Sequence, residues 1–317
     1  MRAVTIVDGR FELRECPEPV LQPDQVLIGI RSAGLNAADL QQARGDYPAP
    51  AGWPADIPGL EVAGEVLELG SAVRDVRVGD RVMALVGGGG HAERIAVPAD
   101  LLLPVPGNIP WEHAGGFPEA FSTAWDALVT QAGIAAGDQV LITGAAGGIG
   151  TAMVQIAAVS GADVVASVRR TELHGKVAAL PAESGRLDVV TPEREIDHGP
   201  FDIIVELVGG DSCLDRVELL RTGGRLLVVG VQGGMTAPLK MFDLMLKRAR
   251  LIGTTIRGRS PAEKALLAHG IRTHVVPLLA QERIQVPIEA TYEIHAYDEA
   301  YARLSGPGKF GKIVLIP

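Results

Sequence analysis

The first hundred residues alternate short apolar stretches with glycine and proline. The stretches DQVLIGIRSAG, EVAGEVLELG and GDRVMALVGGGG each alternate apolar with other positions and end at glycine. Alternation of this kind is typical of half-buried strands, and its recurrence predicts a β-rich domain. The segment GLNAADLQQARG interrupts the strands with a helical pattern, and the four glycines at 87–90 predict a flexible turn.

The pattern changes near residue 118. EAFSTAWDALVTQAG has helical spacing with glycine as its stop, and four nearly continuous apolar runs follow: DQVLITG, ADVVASV, FDIIVELV and GRLLVVG. Such runs, mostly separated by helical segments, are typical of parallel strands buried on both faces, so we expect an α/β region. LDVVTP is a candidate further strand, and the closing GKIVLIP is a strand signal that could return to the first region.

Composition narrows the class of protein. The chain has 317 residues, 47% of them hydrophobic, which predicts about two soluble domains. A net charge of −9 argues against nucleic acid or an anionic membrane as a partner, and no apolar run is long enough to predict a membrane span. With only Cys16 and Cys213 and no targeting pattern at the start, we expect a cytoplasmic location.

A glycine-rich loop joins the first of the four apolar runs to a helical segment. LITGAAGGIG covers 141–150, and TAMVQIAAVSG follows it as a helix. Glycines let backbone N–H groups approach a diphosphate, and the helix N-terminus behind them favours negative charge. We therefore predict a dinucleotide site; the alternative is a purely structural turn. The candidate contacts are Gly144, Ala146, Gly147, Gly148 and Ile149.

The next apolar run predicts which dinucleotide binds. An enzyme that uses NAD usually carries Asp or Glu at the end of this strand, where it holds the ribose 2′-hydroxyl. Here the strand ends at Ser167, followed by Arg169 and Arg170. A hydroxyl and two guanidinium groups suit a 2′-phosphate, which favours NADPH; the alternative is a solvated basic turn.

These segments resemble the medium-chain dehydrogenase/reductase superfamily, and most closely its zinc-independent quinone oxidoreductases related to zeta-crystallin. The resemblance is carried in order by GLNAADLQQARGDYP, IPGLEVAGEV, VGDRVMAL, FPEAFSTAWDAL, VLITGAAGGIG, FDIIVELVGG, GGRLLVVG and GKIVL. It implies a GroES-like β-rich catalytic domain at 1–117 and 258–317. It also implies a Rossmann domain, with a doubly wound parallel sheet, at 118–257.

The chain departs from the zinc-dependent relatives, which carry Cys at the position of Asn36 and His at that of Leu60. Glu61 remains, but one carboxylate does not make a zinc site, and the seven histidines lack metal-binding spacing. We therefore expect no metal. Without a Lewis acid a plain ketone is hard to reduce, whereas a quinone or another conjugated acceptor is easier.

The resemblance implies further site residues. It places Asn36 close to the nicotinamide, with Asp39 beside it, and Tyr47 near the substrate, where its hydroxyl could donate a hydrogen bond to a quinone oxygen. Helix capping is the alternative for Asn36 and Asp39, and loop packing is the alternative for Tyr47.

The remaining cofactor-side candidates have different grounds. Thr123 and Ile256 match family positions, with an ordinary helical threonine as the alternative for Thr123, and Gly230 and Val231 end an apolar run, where strand ends form the cleft. Lys309 stands where relatives often have Asn, and it could contact a cofactor phosphate or face solvent.

We therefore expect an NADPH-dependent quinone oxidoreductase that transfers hydride without a metal. Two alternatives stay open: an NADPH-dependent reductase of the C=C bond in alkenals or enones, and a non-catalytic NADPH-binding structural or sensor protein. Edge strands commonly pair across a dimer interface in this family, so GRLLVVG and RLIGTTI predict a homodimer.

Overall fold

The computed structural model describes residues 1–182 and 185–317. In these residues the strands are β1 Arg2–Val7, β2 Arg10–Glu15, β3 Gln25–Gly34, β4 Glu61–Leu69, β5 Arg81–Leu85, β6 Arg94–Pro98, β7 Leu102–Pro104, β8 Gln139–Ile142, β9 Asp163–Ser167, β10 Leu187–Val190, β11 Phe201–Glu206, β12 Leu220–Val228, β13 Arg250–Gly253, β14 Ile288–Glu293 and β15 Lys312–Ile316. The helices are α1 Ala37–Ala43, α2 Trp111–Gly115, α3 Pro118–Trp125, α4 Gly148–Val159, α5 His174–Ala178, α6 Met241–Lys247, α7 Pro261–Gly270, α8 Val276–Ala280 and α9 Tyr297–Ser305.

The chain divides into two compact units, and the first is built around a mostly antiparallel sheet. It comprises 1–122, 256–282 and 286–317. Its large sheet has the order β14-β15-β3-β4-β5-β7, with β6 also paired to β3. The alternation predicted for DQVLIGIRSAG appears in β3, whose buried positions alternate with half-buried ones over most of its length. The last strand, β15, pairs with β3, so the closing strand signal does return to the first region.

The second unit holds a six-stranded parallel sheet. It comprises 123–255 and 283–285, and its strand order is β10-β9-β8-β11-β12-β13. This is the doubly wound order, with its switch point between β8 and β11. Strands such as β11 are buried on both faces, which explains their nearly continuous apolar sequences. The predicted combination of a β-rich domain with a Rossmann domain is confirmed.

The glycines at 87–90 are buried, contrary to the flexible turn that their sequence predicts. A Cβ at Gly87 would lie 2.5 Å from the Trp53 ring, and the Gly87 carbonyl accepts hydrogen bonds from Arg257. Close packing therefore requires glycine here. Among the described residues, no helix is long and apolar enough to span a bilayer.

Candidate functional site

The glycine-rich loop leaves the C-terminal end of β8 at the switch point and enters α4. Gly144 has a φ of +59°, a conformation that favours glycine, and its carbonyl accepts the Gly147 N–H at 3.0 Å. The N–H groups of the first turn of α4, at 148–150, have no acceptor within the helix because its first turn always leaves them free. The loop thus forms a compact donor set of the kind that binds a diphosphate.

Two glycines of this loop meet different surroundings. A Cβ at Gly150 would lie 2.4 Å from the Gly144 carbonyl oxygen and 2.7 Å from the Ala145 Cα, so no side chain fits. A Cβ at Gly147 would meet nothing closer than 3.5 Å. Glycine is therefore required at 150, where α4 packs against the loop that follows β8. Gly147, in contrast, leaves open space in front of the N–H groups of the first turn of α4. The predicted loop residues come together in an arrangement that fits a dinucleotide.

At the end of β9, the residues that are predicted to bind the 2′-phosphate differ in their exposure and partners. Ser167 is buried, and its hydroxyl donates to Glu195 Oε1 at 2.5 Å. Arg169 is exposed, and Arg170 pairs with Glu172 at 3.1 Å. Because the single hydroxyl proton of Ser167 is donated to Glu195, binding of a phosphate at this point would depend on the two arginines.

A buried ion network ties together the ends of three parallel strands. Arg216 donates from Nε to Glu195 Oε2 at 2.7 Å and from Nη1 to Glu206 Oε2 at 3.1 Å. The other Glu206 oxygen accepts from Thr143 Oγ1 at 3.0 Å and from the backbone of the turn after β11. The network holds the ends of β8, β9 and β11 in fixed register beside the glycine loop.

The remaining cofactor-side candidates lie in both units. Gly230 follows β12, where a Cβ would lie 2.4 Å from the Leu207 carbonyl oxygen; Val231 is half-buried, and Thr123 is buried. Ile256 and Lys309 belong to the first unit. Ile256 is buried, and Lys309 Nζ donates to the Gly306 carbonyl at 2.5 Å, so its ammonium is held by its own loop.

Asn36 belongs to a buried polar cluster of the first unit. Its Nδ2 donates to Glu61 Oε1 at 3.0 Å, and its Oδ1 accepts from Lys312 Nζ at 2.7 Å. Lys312 also forms an ion pair with Glu61 at 2.5 Å and donates to the Leu35 carbonyl. All three side chains are more than nine-tenths buried, so the Asn36 amide is committed to positioning this ion pair.

Asn36 and the neighbouring Leu60 stand at the positions where the resemblance puts zinc ligands in zinc-dependent relatives, and the side chains around them do not fit zinc. Leu60 offers no ligand atom, and the Glu61 carboxylate is bound by the Lys312 ammonium and the Asn36 amide. No group of three or more potential His, Cys, Asp or Glu ligands occurs anywhere in 1–182 and 185–317.

Asp39 is fully buried next to this cluster. It accepts the Asn36 N–H at 2.7 Å and the Gly59 N–H at 3.1 Å, and burial raises the pKa of its carboxyl. His91 lies 4.0 Å away and bonds to the Tyr301 hydroxyl at 2.6 Å. Asp39 thus caps α1 and clamps the loop before β4, as the capping alternative expects.

Glu119, in the first turn of α3, completes the cluster. It is not among the site residues predicted from the sequence. Its N–H donates to Glu61 Oε2 at 2.8 Å, while its own carboxyl forms no hydrogen bond with a described residue. Burial, followed by the charge of Glu61, raises the pKa of the Glu119 carboxyl to about 7. It is therefore a group that can hold or release a proton near neutral pH.

Tyr47, the third predicted catalytic residue, lies beside a buried arginine. The Arg257 guanidinium carbon is 5.1 Å from the centre of the Tyr47 ring, and Nη1 donates to the Tyr47 carbonyl at 2.7 Å. The same guanidinium donates to Gln42 Oε1 and the Gly87 carbonyl, so it joins helix α1 to two loops of the first unit.

Comparisons with known proteins agree with this geometry. Residues 22–107 match the alcohol dehydrogenase GroES-like domain, and 148–269 match the zinc-binding dehydrogenase family. The quinone oxidoreductase of Thermus thermophilus, whose structure is also known in complex with NADPH, is 31% identical with a TM-score of 0.84, and the alignment covers 100% of both chains. This chain belongs to the medium-chain dehydrogenase/reductase superfamily.

Two curated members of the superfamily bear on its chemistry. The quinone oxidoreductase-like protein 2 homolog of Nematostella vectensis is 28% identical over 98% of this chain and 85% of its own length. The NADPH-dependent alkenal/one oxidoreductase of Arabidopsis thaliana chloroplasts is 34% identical over 69% of this chain and 58% of its own length. This medium-chain dehydrogenase/reductase is an oxidoreductase with a nucleotide-binding fold.

Three functional candidates of this medium-chain dehydrogenase/reductase escaped the sequence reasoning: Glu119, Glu195 and Lys312. Only Glu119 had a usable local signal, because an acid beside proline in FPEAF precedes an apolar helix. Glu195 lies in a loose stretch, and Lys312 lies inside a strand pattern; their partners are far away in sequence.

Proposed function

We propose that this protein reduces a quinone with NADPH and without zinc. The observation that carries the proposal is the buried cluster of Asn36, Glu61 and Lys312, because the resemblance puts zinc ligands of the zinc-dependent relatives at the positions of Asn36 and Leu60. Without that Lewis acid, the acceptor must itself be activated by conjugation, as a quinone is. Bound NADPH supplies the hydride. The glycine loop holds the diphosphate through the first turn of α4, and Arg169 and Arg170 bind the 2′-phosphate.

We further propose that Glu119 donates the proton that completes the reduction. A quinone that accepts hydride becomes a hydroquinone only when one proton follows. Glu119 is half-buried. Its carboxyl forms no hydrogen bond with a described residue, and burial together with the charge of Glu61 raises the pKa of that carboxyl to about 7. In its protonated form it can deliver that proton directly or through water, and Asn36 and Lys312 hold the neighbouring Glu61 in place.

Reduction of a conjugated C=C bond is the second candidate, favoured by the similarity to the Arabidopsis alkenal/one oxidoreductase. Oxidation of NADPH, followed with a panel of quinones and a panel of enones, separates the two reactions. Faster turnover on quinones supports the proposal, whereas turnover on enones alone overturns it in favour of the second candidate. NADPH binding without turnover on either panel would support a structural or sensor role.

Removal of both arginines should change the choice of cofactor. Each charge-assisted contact to a phosphate contributes about 1.5–3 kcal/mol, so Arg169→Ala/Arg170→Ala, which removes two of them, should lower the ratio of NADPH to NADH efficiency by about 10²–10⁴-fold. Steady-state kinetics with both cofactors measures this ratio. Arg186→Ala/Arg194→Ala, at two other exposed arginines, removes the same charge and should leave the ratio unchanged. An unchanged ratio in the first variant would contradict the NADPH assignment.

We also propose a homodimer that pairs the β13 edges of two copies. Within the part of the chain that the structure describes, β13 has a strand partner on one side only, and α6 exposes Met241, Phe242, Met245 and Leu246 in the same unit. Phe242→Glu/Met245→Glu should therefore give the mass of a monomer by light scattering at micromolar concentration. Leu266→Glu, at an exposed leucine of the other unit, should leave the dimer intact. A monomeric wild-type protein rules the dimer out.

We place the protein in the cytoplasm. Cys16 and Cys213 are both free thiols, as is usual for proteins of a reducing compartment.

A further inference from the structure

Arg257 is a buried cation that donates its hydrogen bonds to neutral oxygen atoms. It is 5% exposed. Its Nε and Nη2 both donate to the Gly87 carbonyl, at 3.0 Å and 2.9 Å, and its Nη1 donates to the Tyr47 carbonyl at 2.7 Å. A further hydrogen bond runs from Nη2 to Gln42 Oε1. Within the part of the chain that the structure describes, Arg257 forms no ion pair.

Geometry, and not ion pairing, explains an arginine at this position. A buried charge normally has a partner of opposite sign, because an ion without one is costly to remove from water. Asp39 and Glu119 act on the guanidinium only from a distance, and burial still lowers the pKa of Arg257. An arginine nevertheless keeps its charge in a protein. Its donors lie in a fixed plane, which the flexible ammonium of a lysine does not offer.

The guanidinium joins α1 to two loops of the first unit. One is the glycine segment at 87–90, which follows β5, and the other is the 44–60 loop between α1 and β4. Gln42, in the last turn of α1, is itself bound to the second loop, because its Nε2 donates to the Ala55 carbonyl at 2.9 Å. Arg257 therefore fixes the two loops relative to each other.

Arg257 holds Tyr47 by both its backbone and its ring. Besides the hydrogen bond to the Tyr47 carbonyl, the guanidinium carbon lies 5.1 Å from the centre of the ring. A cation at this distance is attracted to an aromatic ring. Loss of the guanidinium would release the Tyr47 ring and the Gly87 carbonyl together.

We propose that Arg257 is a positioning residue for the acceptor and acts through Tyr47. This inference rests on the proposed function, with Tyr47 beside the acceptor as the family resemblance implies. Hydride transfer requires the acceptor in one orientation, and a misplacement of about 1 Å can lower the rate about 10²-fold. The guanidinium orients the acceptor by keeping the Tyr47 ring in place.

A double-mutant cycle tests whether Arg257 acts through Tyr47. Arg257→Met should lower kcat/KM for the acceptor about 10²-fold and leave the Kd of NADPH unchanged. In a Tyr47→Ala background the same substitution should have little further effect, because the ring that it positions is gone. Equal losses in the two backgrounds, or an equal loss of NADPH affinity, overturn the proposal.

Two further variants control for the fold. Arg257→Lys keeps the charge without the planar fork, so it should show the same pattern and replaces Arg257→Met if that variant does not fold. Arg272→Met removes another arginine of the same unit, which donates only to the backbone carbonyls of Asp100 and Leu102. It should leave kcat/KM unchanged, and a loss as large as that of Arg257→Met contradicts a specific role.

Tryptophan fluorescence tests the loop contact without cofactor or acceptor. Trp53, in the 44–60 loop, packs against Gly87, where a Cβ would lie 2.5 Å from its ring. The chain has three tryptophans, so Trp111→Phe/Trp125→Phe leaves Trp53 as the single emitter. Adding Arg257→Met should raise acrylamide quenching by about 2-fold or more, because the released loop opens locally. Unchanged quenching overturns the proposal.

Failure of this inference differs from failure of the proposed function. Turnover on enones alone removes the proposed function, but the double-mutant cycle is then measured with an enone. Turnover on quinones with additive losses in the cycle removes the positioning role and leaves the proposed function standing.

Discussion

Gly147→Ala should abolish most NADPH binding while the fold stays intact, whereas Gly150→Ala should damage both. At Gly147 the backbone is extended and a Cβ has ordinary contacts, so alanine fits the empty loop but fills the space in front of the amide donors. At Gly150 a Cβ would lie 2.4 Å from the Gly144 carbonyl oxygen, which forces the loop to move. Overpacking of this kind costs about 1–3 kcal/mol.

Fluorescence titration with NADPH and urea denaturation measure the two effects separately. We expect Gly147→Ala to weaken NADPH binding by roughly 100-fold, the loss of two or more charge-assisted hydrogen bonds, with little change in the free energy of unfolding. Gly175→Ala is the control, since a Cβ there meets nothing within 4 Å in the same unit. Wild-type affinity in Gly147→Ala would show that the loop does not hold the diphosphate.

The fold was predictable where burial alone determines the residue type. Strands of a parallel sheet covered on both faces need apolar side chains at every position, so FDIIVELV could be assigned as a buried strand, now β11. The glycine loop was equally clear because its position between strand and helix is local. The burial of the glycines at 87–90 could not be predicted, because Trp53 packs against Gly87 and no local pattern shows that these two segments are close.

The candidate site was harder to predict because its partners are distant in sequence. Asn36 looked catalytic or capping, yet its amide is held by Lys312, 276 residues away. Lys312 itself reads as part of a strand, and nothing local indicates that its ammonium is buried against Glu61. Ser167 matches the pattern for a phosphate ligand, but its hydroxyl donates a hydrogen bond to Glu195. Glu195 lies in a stretch without periodicity, so no pattern predicts this contact.

Glu119→Gln should lower kcat/KM by about 10²–10⁴-fold and remove its decline with pH. The proton comes from the protonated carboxyl, whose pKa is raised to about 7, so wild-type kcat/KM should fall as the pH rises above about 7. Glutamine keeps the shape of the side chain but cannot release a proton, so its residual rate should be flat over this range. Glu119→Asp should restore part of the pH-dependent rate, and Glu112→Gln, in the neighbouring helix α2, is the matched control.

The raised pKa of the Glu119 carboxyl should also affect the free energy of unfolding, independently of catalysis. A carboxyl whose pKa is raised on folding does not lower the free energy of unfolding at a pH below its unfolded pKa, near 4.3. Between that pH and its folded pKa, it destabilises the fold increasingly as the pH rises. Glu119→Gln should therefore gain stability over the wild type as pH rises from about 4.3 to 7, reaching about 1–3 kcal/mol in urea denaturation. If this gain appears while kcat/KM and its pH profile stay those of the wild type, Glu119 is a buried acid but not the proton source. If neither changes, the carboxyl is not desolvated, and the proton must come from another group such as the Tyr47 hydroxyl.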